Sequence, residues 1–490
     1  MMFLTILLGI AMTNIIPIPK ECNLTEKQVL LSTIDDLRCK VNPKIPKEGY
    51  ILTVKPRSIQ ITGGSQAGVF YALQTLRQEA FANDGKVRCG TIKDAPRFGW
   101  RGLMLDEARH FMGEEYVKKT LDLMAYFKMN KFHWHLTDNP GWRIEIKKYP
   151  KLMSEGARRV YSDFTMGPQY YTQEQVRRIV AYAAERHIEV IPEIDMPGHA
   201  TSANRAYPEL SGGQHPVYPN FTFNPGSEET YKFIDAVFSE IAPLFPSKYV
   251  HIGGDEVSFG WDCWNDNKDV QDLMRREHLS SLPEVETYFM RKVAAMLKKY
   301  GKTLIGWDDI LDLDMDLSDA AVTWFRSERP EHLDKAAAEG VPVIMCPRQP
   351  NYLDFVQYPG HTQGRTNYEG YYYENTQKAI YEFPEKIAGK DGIKTSLLPN
   401  ALGVEACLWT ETVANHGRAD YMIWPRLCAV AESGWSLPEN KDYDSFADRL
   451  EMALKYLDGC SVSYFDLRHP GVSPEPAAVK KDRKERSEIK

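Results

Sequence analysis

The stretch Tyr249-Val250-His251-Ile252-Gly253-Gly254-Asp255-Glu256 decides how this chain folds. An apolar run suited to a buried strand leads through two glycines to two adjacent carboxylic acids. Strand tips followed by loops carry the chemistry of barrel enzymes. Two neighbouring acids in a partly dry site repel each other, which raises the pKa of one of them. A carboxylic acid that keeps its proton near neutral pH can donate it to a leaving oxygen.

An isolated Asp-Glu pair is usually a solvated turn, so the surrounding pattern has to decide. From Phe98 onward the chain alternates between strand and helix patterns. Helix signals include the capping box Thr172-Gln173-Glu174-Gln175 and a segment that begins with Pro330 and ends with Gly340. Eight apolar runs are strand candidates: 102–106, 131–136, 188–194, 249–252, 303–305, 321–324, 341–345 and 402–408. Parallel strands joined by helices predict an α/β fold, a (β/α)8 TIM barrel with enlarged loops.

The chain divides into four predicted segments. Residues 1–21 form a leader, 22–95 a small N-terminal α+β domain, 96–465 the catalytic barrel and 466–490 a charged, solvated and mobile tail. The leader contains the apolar run Met1–Met12, which is too short to span a bilayer and resembles the core of a secretory signal peptide. We therefore expect export to the periplasm, the cell surface or the medium.

The composition of the 490 residues is that of a soluble globular protein, with 43% hydrophobic and 26% charged residues. The net charge is -7 and no dense basic face is evident, so no nucleic-acid partner is expected. No later segment is predicted to span a membrane. The 8 cysteines include no C-x-x-C pair, which argues against a zinc ribbon. Cys22 and Cys39 either form a disulfide or stay free, and the sequence does not decide between these states.

Polar and aromatic residues follow most of the strand candidates at the same end. They are Asp106, Arg109, His133, His135, Asp138, Glu193, Asp195, His199, Asp255, Glu256, Trp307, Asp308, Trp324, Tyr352, Asp354, Trp409 and Glu411. In a parallel barrel these positions converge on one face, where they line a pocket. Aromatic rings at such positions suit the flat C–H faces of sugars.

One interpretation of this pocket is metal-dependent hydrolysis. His133 and His135 lie two residues apart on a strand, so their imidazoles share a face as metal ligands often do. The pair lies on the second barrel strand, and no lysine ligand is evident. We therefore expect His133 and His135 to be held by hydrogen bonds, and we expect no metal and no cofactor.

The other interpretation is cleavage of a glycosidic bond. Ordinary retaining glycosidases need two carboxyl groups about 5 Å apart, an acid and a nucleophile. Neighbours on one strand tip, such as Asp255 and Glu256, cannot easily face each other across a sugar. The pair therefore suggests one acid, one helper and a nucleophile from the substrate, such as the carbonyl oxygen of a 2-acetamido group.

At this point a family resemblance is evident. The segment His251–Glu256 resembles the signature of glycoside hydrolase family 20, the β-N-acetylhexosaminidases. Residues 101–111, 130–143 and 191–199 resemble the first three barrel strands of that family, and 64–78 resembles the helix of its small N-terminal domain. The resemblance covers roughly residues 15–460 and implies substrate-assisted, retaining exo-hydrolysis of terminal β-linked N-acetylglucosamine or N-acetylgalactosamine through an oxazolinium ion.

The resemblance also implies a role for each matching residue. Glu256 would be the general acid and then the base, Asp255 would hold the acetamido N–H, and Tyr352 would donate to the acetamido carbonyl. Asp138 and His199 would adjust the acidity of Glu256 from positions that do not contact the sugar. The remaining residues would contact the sugar directly, with Trp307, Trp324 and Trp409 forming an aromatic wall and Arg109, Asp354 and Glu411 binding hydroxyl groups.

Several points remain open in the sequence. Few strands are evident before Tyr50, which leaves the sheet of the N-terminal domain undefined. The tyrosine-rich insertion 360–394 either lines a site for the rest of the glycan or packs on the barrel. A catalytically impaired sugar-binding protein on the same scaffold is an alternative function. Neither the preferred glycan nor the oligomeric state follows from the sequence.

Overall fold

The protein consists of a small sheet domain followed by a closed barrel. The computed structural model describes residues 13–481, except 216, 366, 369–370, 373 and 388–389. The barrel and the N-terminal α+β domain confirm the predicted fold class.

The N-terminal domain is a five-stranded sheet covered by one long helix. The strands are β1 Glu21–Leu30, β2 Asp36–Val41, β3 Tyr50–Lys55, β4 Ser58–Gly63 and β5 Lys86–Asp94, in the spatial order β1-β5-β3-β4-β2. Helix α1, Gln66–Ala82, begins after the N-cap Ser65, whose side chain accepts from Ala67 N. Its apolar face packs with Leu52, Ile61 and Ile92 of the sheet.

Two expectations for this domain are corrected. Strands β1 and β2 precede Tyr50, which the sequence left undefined because their side chains are mostly exposed and show no long apolar run. The predicted leader is too long, since Ile15 and Ile16 are buried and Ile16 N donates to Gln78 Oε1 over 2.8 Å. Residues 1–12 lie outside the described residues. Cys22 and Cys39 lie on opposite edge strands of the sheet, so they cannot form a disulfide with each other.

The barrel is formed by eight parallel strands in the closed order β10-β11-β12-β17-β6-β7-β8-β9. Each predicted strand is found, with ends that differ by a few residues at most. The barrel strands are β6 Trp100–Asp106, β7 Lys131–His135, β8 Glu189–Glu193, β9 Tyr249–His251, β10 Thr303–Trp307, β11 Ala320–Trp324, β12 Val343–Met345 and β17 Ala401–Leu408. Two short hairpins lie within the tyrosine-rich insertion, β13 Asn367–Tyr368 with β14 Tyr371–Tyr372, and β15 Lys386–Ile387 with β16 Lys390–Asp391.

Helices connect the barrel strands and cover their outer side. They are α2 Glu114–Tyr126, α3 Gln173–Ala184, α4 Thr201–Ala206, α5 Glu228–Ile241, α6 Trp261–Asp266, α7 Lys268–Glu277, α8 Leu282–Lys299, α9 Glu331–Glu339, α10 Arg348–Asn351, α11 Gln377–Glu382, α12 His416–Ile423, α13 Arg426–Trp435 and α14 Tyr443–Gly459. The predicted capping box is present at Thr172 and Gln175, and Gly340 ends α9 in the left-handed conformation. Among the described residues, no helix has the length and apolar character needed to cross a bilayer.

Asp94 joins the two domains at the bottom of the barrel. Its Oδ2 accepts from Tyr50 OH over 2.8 Å, from Lys128 Nζ over 3.1 Å and from Trp435 Nε1 over 2.9 Å. All four side chains are buried. Because a buried charge is stable only when it is paired and hydrogen-bonded, Asp94 and Lys128 fix the N-terminal sheet against the barrel.

The segment that follows residue 465 is partly folded onto the barrel, which corrects the prediction of a mobile tail for residues 466–481. The carboxylate of Glu475 accepts from Thr362 N over 2.7 Å and from Gln363 N over 2.9 Å. Ala478 N donates to Gln363 Oε1 over 3.1 Å. Sequence composition gave no sign of these contacts because their partners lie more than a hundred residues earlier. Residues 482–490 lie outside the described residues.

Candidate active site

A cavity of about 500 Å³ opens at the carboxyl-terminal face of the barrel. Loops that follow the barrel strands supply most of its wall, as expected for this fold. Eight of the eleven predicted site residues line it: Arg109, Asp138, His199, Asp255, Glu256, Tyr352, Trp409 and Glu411. Trp307, Trp324 and Asp354 do not.

The two glycines before Asp255 are required by the backbone. Gly253 and Gly254 have φ of 69° and 85°, a region that favours glycine. A Cβ atom on Gly253 would lie 1.7 Å from Asp195 Oδ1. Glu256 itself has φ of 54°, a conformation that a non-glycine residue adopts at a cost of about 1–2 kcal/mol. Such strain is common at functional sites. Here the strained backbone directs the side chains of Asp255 and Glu256 into the same cavity.

His199 lies between the two acids. Its Nε2 is 3.6 Å from Asp255 Oδ2 and 3.5 Å from Glu256 Oε2, while its Nδ1 is 3.2 Å from Asp138 Oδ1. Burial alone would lower the pKa of His199, but the charges of Asp138, Asp195 and Asp255 hold it well above its ordinary value. His199 is therefore a cation that faces both acids.

The pKa values of the two acids differ from the expectation. Burial raises the pKa of Asp255 to about 6, against the opposing charge of His199. Burial also acts to raise the pKa of Glu256, but the hydrogen bond and charge of His199 outweigh it and lower the pKa. The pKa of Asp255 is therefore raised, by burial first and by repulsion from Glu256 second, whereas His199 lowers the pKa of Glu256. The family resemblance implied that His199 acts on Glu256, but it did not show that His199 also faces Asp255.

Arg109 connects the cavity to the barrel. Its Nη2 lies 2.7 Å from Asp138 Oδ2 and its Nη1 3.3 Å from Asp106 Oδ2. The guanidinium also lies over the ring of Trp409, 4.9 Å from its centre. Arg109 thus takes part in a structural ion pair and still lines the cavity.

An aromatic cluster forms the floor and one side of the cavity. Trp409 and Tyr352 line it, and their ring centres are 6.0 Å apart. Trp307 lies beneath, with its ring centre 5.7 Å from that of Trp409 and its Nε1 donating to Glu193 Oε1 over 3.0 Å. Trp307 therefore supports the predicted wall from below rather than lining the cavity.

The expectation for Trp324 is wrong in the structure. Trp324 packs in the core between the barrel and its helices, and its Nε1 donates to Arg329 O over 3.3 Å. Side chains alternate across the barrel wall, so the next residue, Phe325, faces the cavity instead. The ring of Phe325 is nearly parallel to that of Tyr352, at 10° and 6.4 Å.

Asp354 and Glu411 lie on either side of Arg365. Arg365 Nη2 donates to Glu411 Oε1 over 3.0 Å, and its Nε is 3.4 Å from Asp354 Oδ2. Within the described part of the chain, neither carboxylate oxygen of Asp354 accepts a hydrogen bond. Burial raises the pKa of Asp354 to about 7. A buried carboxyl group without hydrogen bonds, next to a cavity, is suited to accept hydroxyl groups of a ligand.

The histidines of the second strand are held by carboxylates, as expected. His133 Nδ1 is 2.8 Å from Glu405 Oε1 and its Nε2 is 2.9 Å from Glu193 Oε2, while His135 Nδ1 is 2.5 Å from Glu193 Oε2. The groups that could bring three ligand atoms within 4.8 Å include His133 with Glu193 and His251. These atoms lie in the interior of the barrel beneath the cavity, where Glu193 lies 2.9 Å from His133 Nε2 and 3.1 Å from His251 Nδ1.

Several residues that line the cavity were missed by the sequence interpretation: Arg159, Tyr161, Phe164, Arg205, Tyr218, Phe221, Phe259, Phe325, Arg348, Arg365 and Lys481. Phe325 was detectable from side-chain alternation. The others lie on loops, in the short helices α4 and α10 or in the segment after residue 465, where no periodic pattern indicates which side chain faces the cavity.

A (β/α)8 barrel with adjacent acids in an aromatic-walled cavity defines a glycoside hydrolase. The family follows from comparison with known proteins. Residues 98–438 match glycosyl hydrolase family 20, catalytic domain, and residues 33–95 match glycosyl hydrolase family 20, domain 2. The chain belongs to glycosyl hydrolase family 20.

Similar proteins carry related names. A beta-hexosaminidase of Porphyromonas gingivalis is 40% identical over 442 residues, which cover 86% of this chain and 55% of that protein. A beta-hexosaminidase of Vibrio furnissii is 37% identical over 426 residues, covering 81% of this chain and 67% of that protein. This chain thus spans between about half and two thirds of the length of these two relatives.

Solved structures agree with this assignment. The GH20 exo beta-N-acetylglucosaminidase of Vibrio harveyi, in complex with N-acetylglucosamine, superposes with a TM-score of 0.83 at 31% identity, covering 92% of this chain and 78% of the other. The beta-N-acetylhexosaminidase of Bacteroides fragilis superposes with a TM-score of 0.81 at 28% identity, covering 94% and 99%.

Proposed function

We propose that this protein is a retaining exo-β-N-acetylhexosaminidase that removes terminal, non-reducing β-linked N-acetylglucosamine or N-acetylgalactosamine from glycans. The observation that carries the proposal is the pair Asp255 and Glu256, adjacent in the chain, both lining one cavity and both facing His199. Adjacent carboxyl groups on one strand tip do not flank a sugar as an acid and a nucleophile do in ordinary retaining enzymes. The nucleophile then comes from the substrate.

In the proposed reaction the acetamido carbonyl oxygen attacks the anomeric carbon while the bond to the leaving oxygen breaks. Glu256 donates its proton to the leaving oxygen, and Asp255, as a carboxylate, accepts the acetamido N–H and offsets the charge of the oxazolinium ion. Tyr352 donates to the acetamido carbonyl. Water then attacks the anomeric carbon, Glu256 takes its proton, and the acetamido group is restored. The double displacement retains the β configuration.

His199 and Asp138 act as positioning residues. His199 as a cation faces both acids and keeps Asp255 ionised at neutral pH, since Asp255 has a pKa of about 6. Glu256 must hold a proton at the moment of transfer. A sugar that covers Glu256 removes water from it, and this desolvation raises its pKa toward the value that an acid catalyst needs.

The remaining residues would hold the sugar ring. Trp409 and Phe325 would border the acetamido methyl group and the apolar sugar face, and Trp307 packs against both rings from beneath. Arg109, Asp354 and Glu411 would bind hydroxyl groups through charged hydrogen bonds. Loss of these contacts would weaken the binding of the transition state as well as that of the substrate.

The test of this function is hydrolysis of aryl N-acetyl-β-hexosaminides by acid variants. Glu256→Gln keeps the shape of the side chain and should lower kcat about a hundredfold or more, because proton transfer is lost. Asp255→Asn should lower it comparably, and the matched control Glu439→Gln, in an exposed turn, should not. The corresponding 2-hydroxy glycosides should be split at least about a thousandfold more slowly. Equal rates on both sugars, or normal turnover by Glu256→Gln, would refute the proposal.

We also propose that the protein is exported. The apolar run Met1–Met12 supports this, although it lies outside the described residues. Fractionation of the producing cells, with an amino-terminal sequence of the mature protein, is the direct test. Recovery of uncleaved protein in the cytoplasm would contradict it.

A further inference from the structure

One wall of the cavity carries two cations placed over two aromatic rings. The guanidinium carbon of Arg159 lies 5.5 Å from the centre of the Phe164 ring, and Lys481 Nζ lies 5.7 Å from the centre of the Tyr161 ring. All four residues line the cavity that holds Asp255 and Glu256. We call these four residues the basic wall. No step of the proposed reaction uses them.

The chain holds Lys481 at this position. Glu475 accepts hydrogen bonds from Thr362 N and Gln363 N, and Ala478 N donates to the side chain of Gln363. Val479 N contacts Thr412 O over 3.4 Å, two residues before Lys481. The side chain of Lys481 therefore starts from an anchored backbone rather than from a free terminus.

The basic wall lies beside the end of the cavity that contains Arg109 and Glu411. Tyr161 N donates to Arg109 O over 2.9 Å. Burial raises the pKa of Tyr161, and the nearby charge of Glu411 adds to the rise, which places the phenol close to that carboxylate. Since Arg109 and Glu411 are expected to bind sugar hydroxyl groups, the basic wall borders the same cavity as the expected position of the bound glycan.

The cavity has more basic side chains than carboxylates, although the chain carries a net charge of -7. The cation His199, four carboxylates and six arginine and lysine side chains line it; the six are Arg109, Arg159, Arg205, Arg348, Arg365 and Lys481. Of these six, Arg109, Arg348 and Arg365 form ion pairs with carboxylates. Among the described residues, no carboxylate forms an ion pair with Lys481, which lies over Tyr161. Arg205 donates through Nη2 to the backbone carbonyls of Pro140 and Gly156.

We propose that the basic wall binds an anionic group on the glycan, a sulfate ester or a carboxylate, and that the enzyme prefers acidic glycans over neutral ones. This inference rests on the proposed hexosaminidase function and narrows its substrate class. An ammonium or guanidinium group in a partly enclosed cavity attracts an anion more strongly than it would on an open surface. The guanidinium of Arg159 also matches the paired oxygens of a sulfate or carboxylate.

The experiment compares kcat/KM for matched neutral and acidic substrates. One pair is an aryl N-acetyl-β-hexosaminide with and without a 6-O-sulfate, which places the anion on the terminal sugar. The other is an N-acetylhexosaminyl disaccharide that ends in glucuronate or in glucose, which places it on the next sugar. The wild-type protein should favour the acidic member of at least one pair by about fivefold at low salt, and the preference should shrink at high salt.

Two lysine variants show whether the basic wall causes the preference for acidic substrates. Lys481→Gln should lower kcat/KM for the preferred acidic substrate about fivefold while changing the neutral member less than about twofold. Lys480→Gln is the matched control, because it makes the same change of charge one residue earlier at a side chain that does not line the cavity. Equal losses on acidic and neutral substrates, or the same effect from Lys480→Gln, would overturn the inference, as would a wild-type protein without any acidic preference. Failure of the hexosaminidase function itself would look different, since neither member of either pair would be hydrolysed.

Discussion

Trp324 and Phe325 are consecutive residues whose side chains lie on opposite sides of the barrel wall. Trp324 packs against the outer helices, and Phe325 lines the cavity. Substitution of Trp324 should therefore affect stability, and substitution of Phe325 should affect activity.

Phe325→Leu should lower kcat/KM for an aryl N-acetylhexosaminide about tenfold with little effect on unfolding, because it removes a ring from the sugar site. Trp324→Phe should do the reverse, with a loss of about 1–3 kcal/mol in the free energy of unfolding and an unchanged KM. Urea denaturation and steady-state kinetics measure both. If Trp324→Phe raised KM while Phe325→Leu left it unchanged, the placement of the two rings would be wrong.

The pH profile of kcat, which reports the enzyme–substrate complex, should have an acid limb that reports Asp255, because in that complex the sugar covers Glu256 and keeps it protonated. The carboxylate form is required, and the pKa is about 6, so activity should fall as the pH drops below about 6. The cation His199 favours the ionised form of Asp255. Its removal in His199→Gln should raise that pKa and move the acid limb upward by about one pH unit.

The control for this shift is His469→Gln, which changes an exposed histidine that does not line the cavity. Its profile should coincide with that of the wild-type protein. A limb that stays in place in His199→Gln, or that moves to lower pH, would show that His199 does not act on Asp255 as the geometry indicates.

Gly253→Ala tests why glycine precedes the acids. The added Cβ would lie 1.7 Å from Asp195 Oδ1, so the strand tip must shift, and we expect a loss of about 3 kcal/mol or more in the free energy of unfolding together with a loss of activity. Gly301→Ala is the matched control. Gly301 has the same φ of 69°, but no atom lies within 4 Å of its added Cβ.

The free energy of unfolding of the control variant should fall by only about 1–2 kcal/mol, the cost of placing alanine in the left-handed conformation. Equilibrium unfolding in urea separates the two contributions. Equal losses in the two variants would show that the left-handed backbone conformation, rather than the close approach of Asp195, is the reason that position 253 requires glycine.

The sequence predicted the barrel well because each of its strands is a short apolar run bounded by polar loops. It predicted the main site residues because the resemblance covers the strand ends, where Arg109, Asp138 and Glu256 lie. It failed at Trp324, because a shift of one residue along a strand moves a side chain from the cavity to the core. It also failed where contacts join distant parts of the chain, as between Glu475 and the turn at Thr362 and Gln363.

The electrostatics of the acids could not be predicted from the pair alone. Repulsion between Asp255 and Glu256 is evident in the sequence, but the two pKa values depend on how deeply each carboxyl group is buried and on its contact with His199, which the fold brings from another loop. Both quantities belong to the tertiary structure. A sequence pattern can therefore indicate that a pKa is shifted without showing which residue carries the shift.

The contact of Asp94 with Lys128, Tyr50 and Trp435 has a practical consequence for protein engineering. A shortened chain that starts at residue 96 would keep every barrel strand, but Lys128 would lose its counter-ion Asp94 and the buried Trp435 would lose the sheet that covers it. The amino-terminal sheet is therefore not a detachable module. Anyone who wishes to graft this barrel onto another scaffold must transfer the sheet with it or replace Lys128 and Trp435 together.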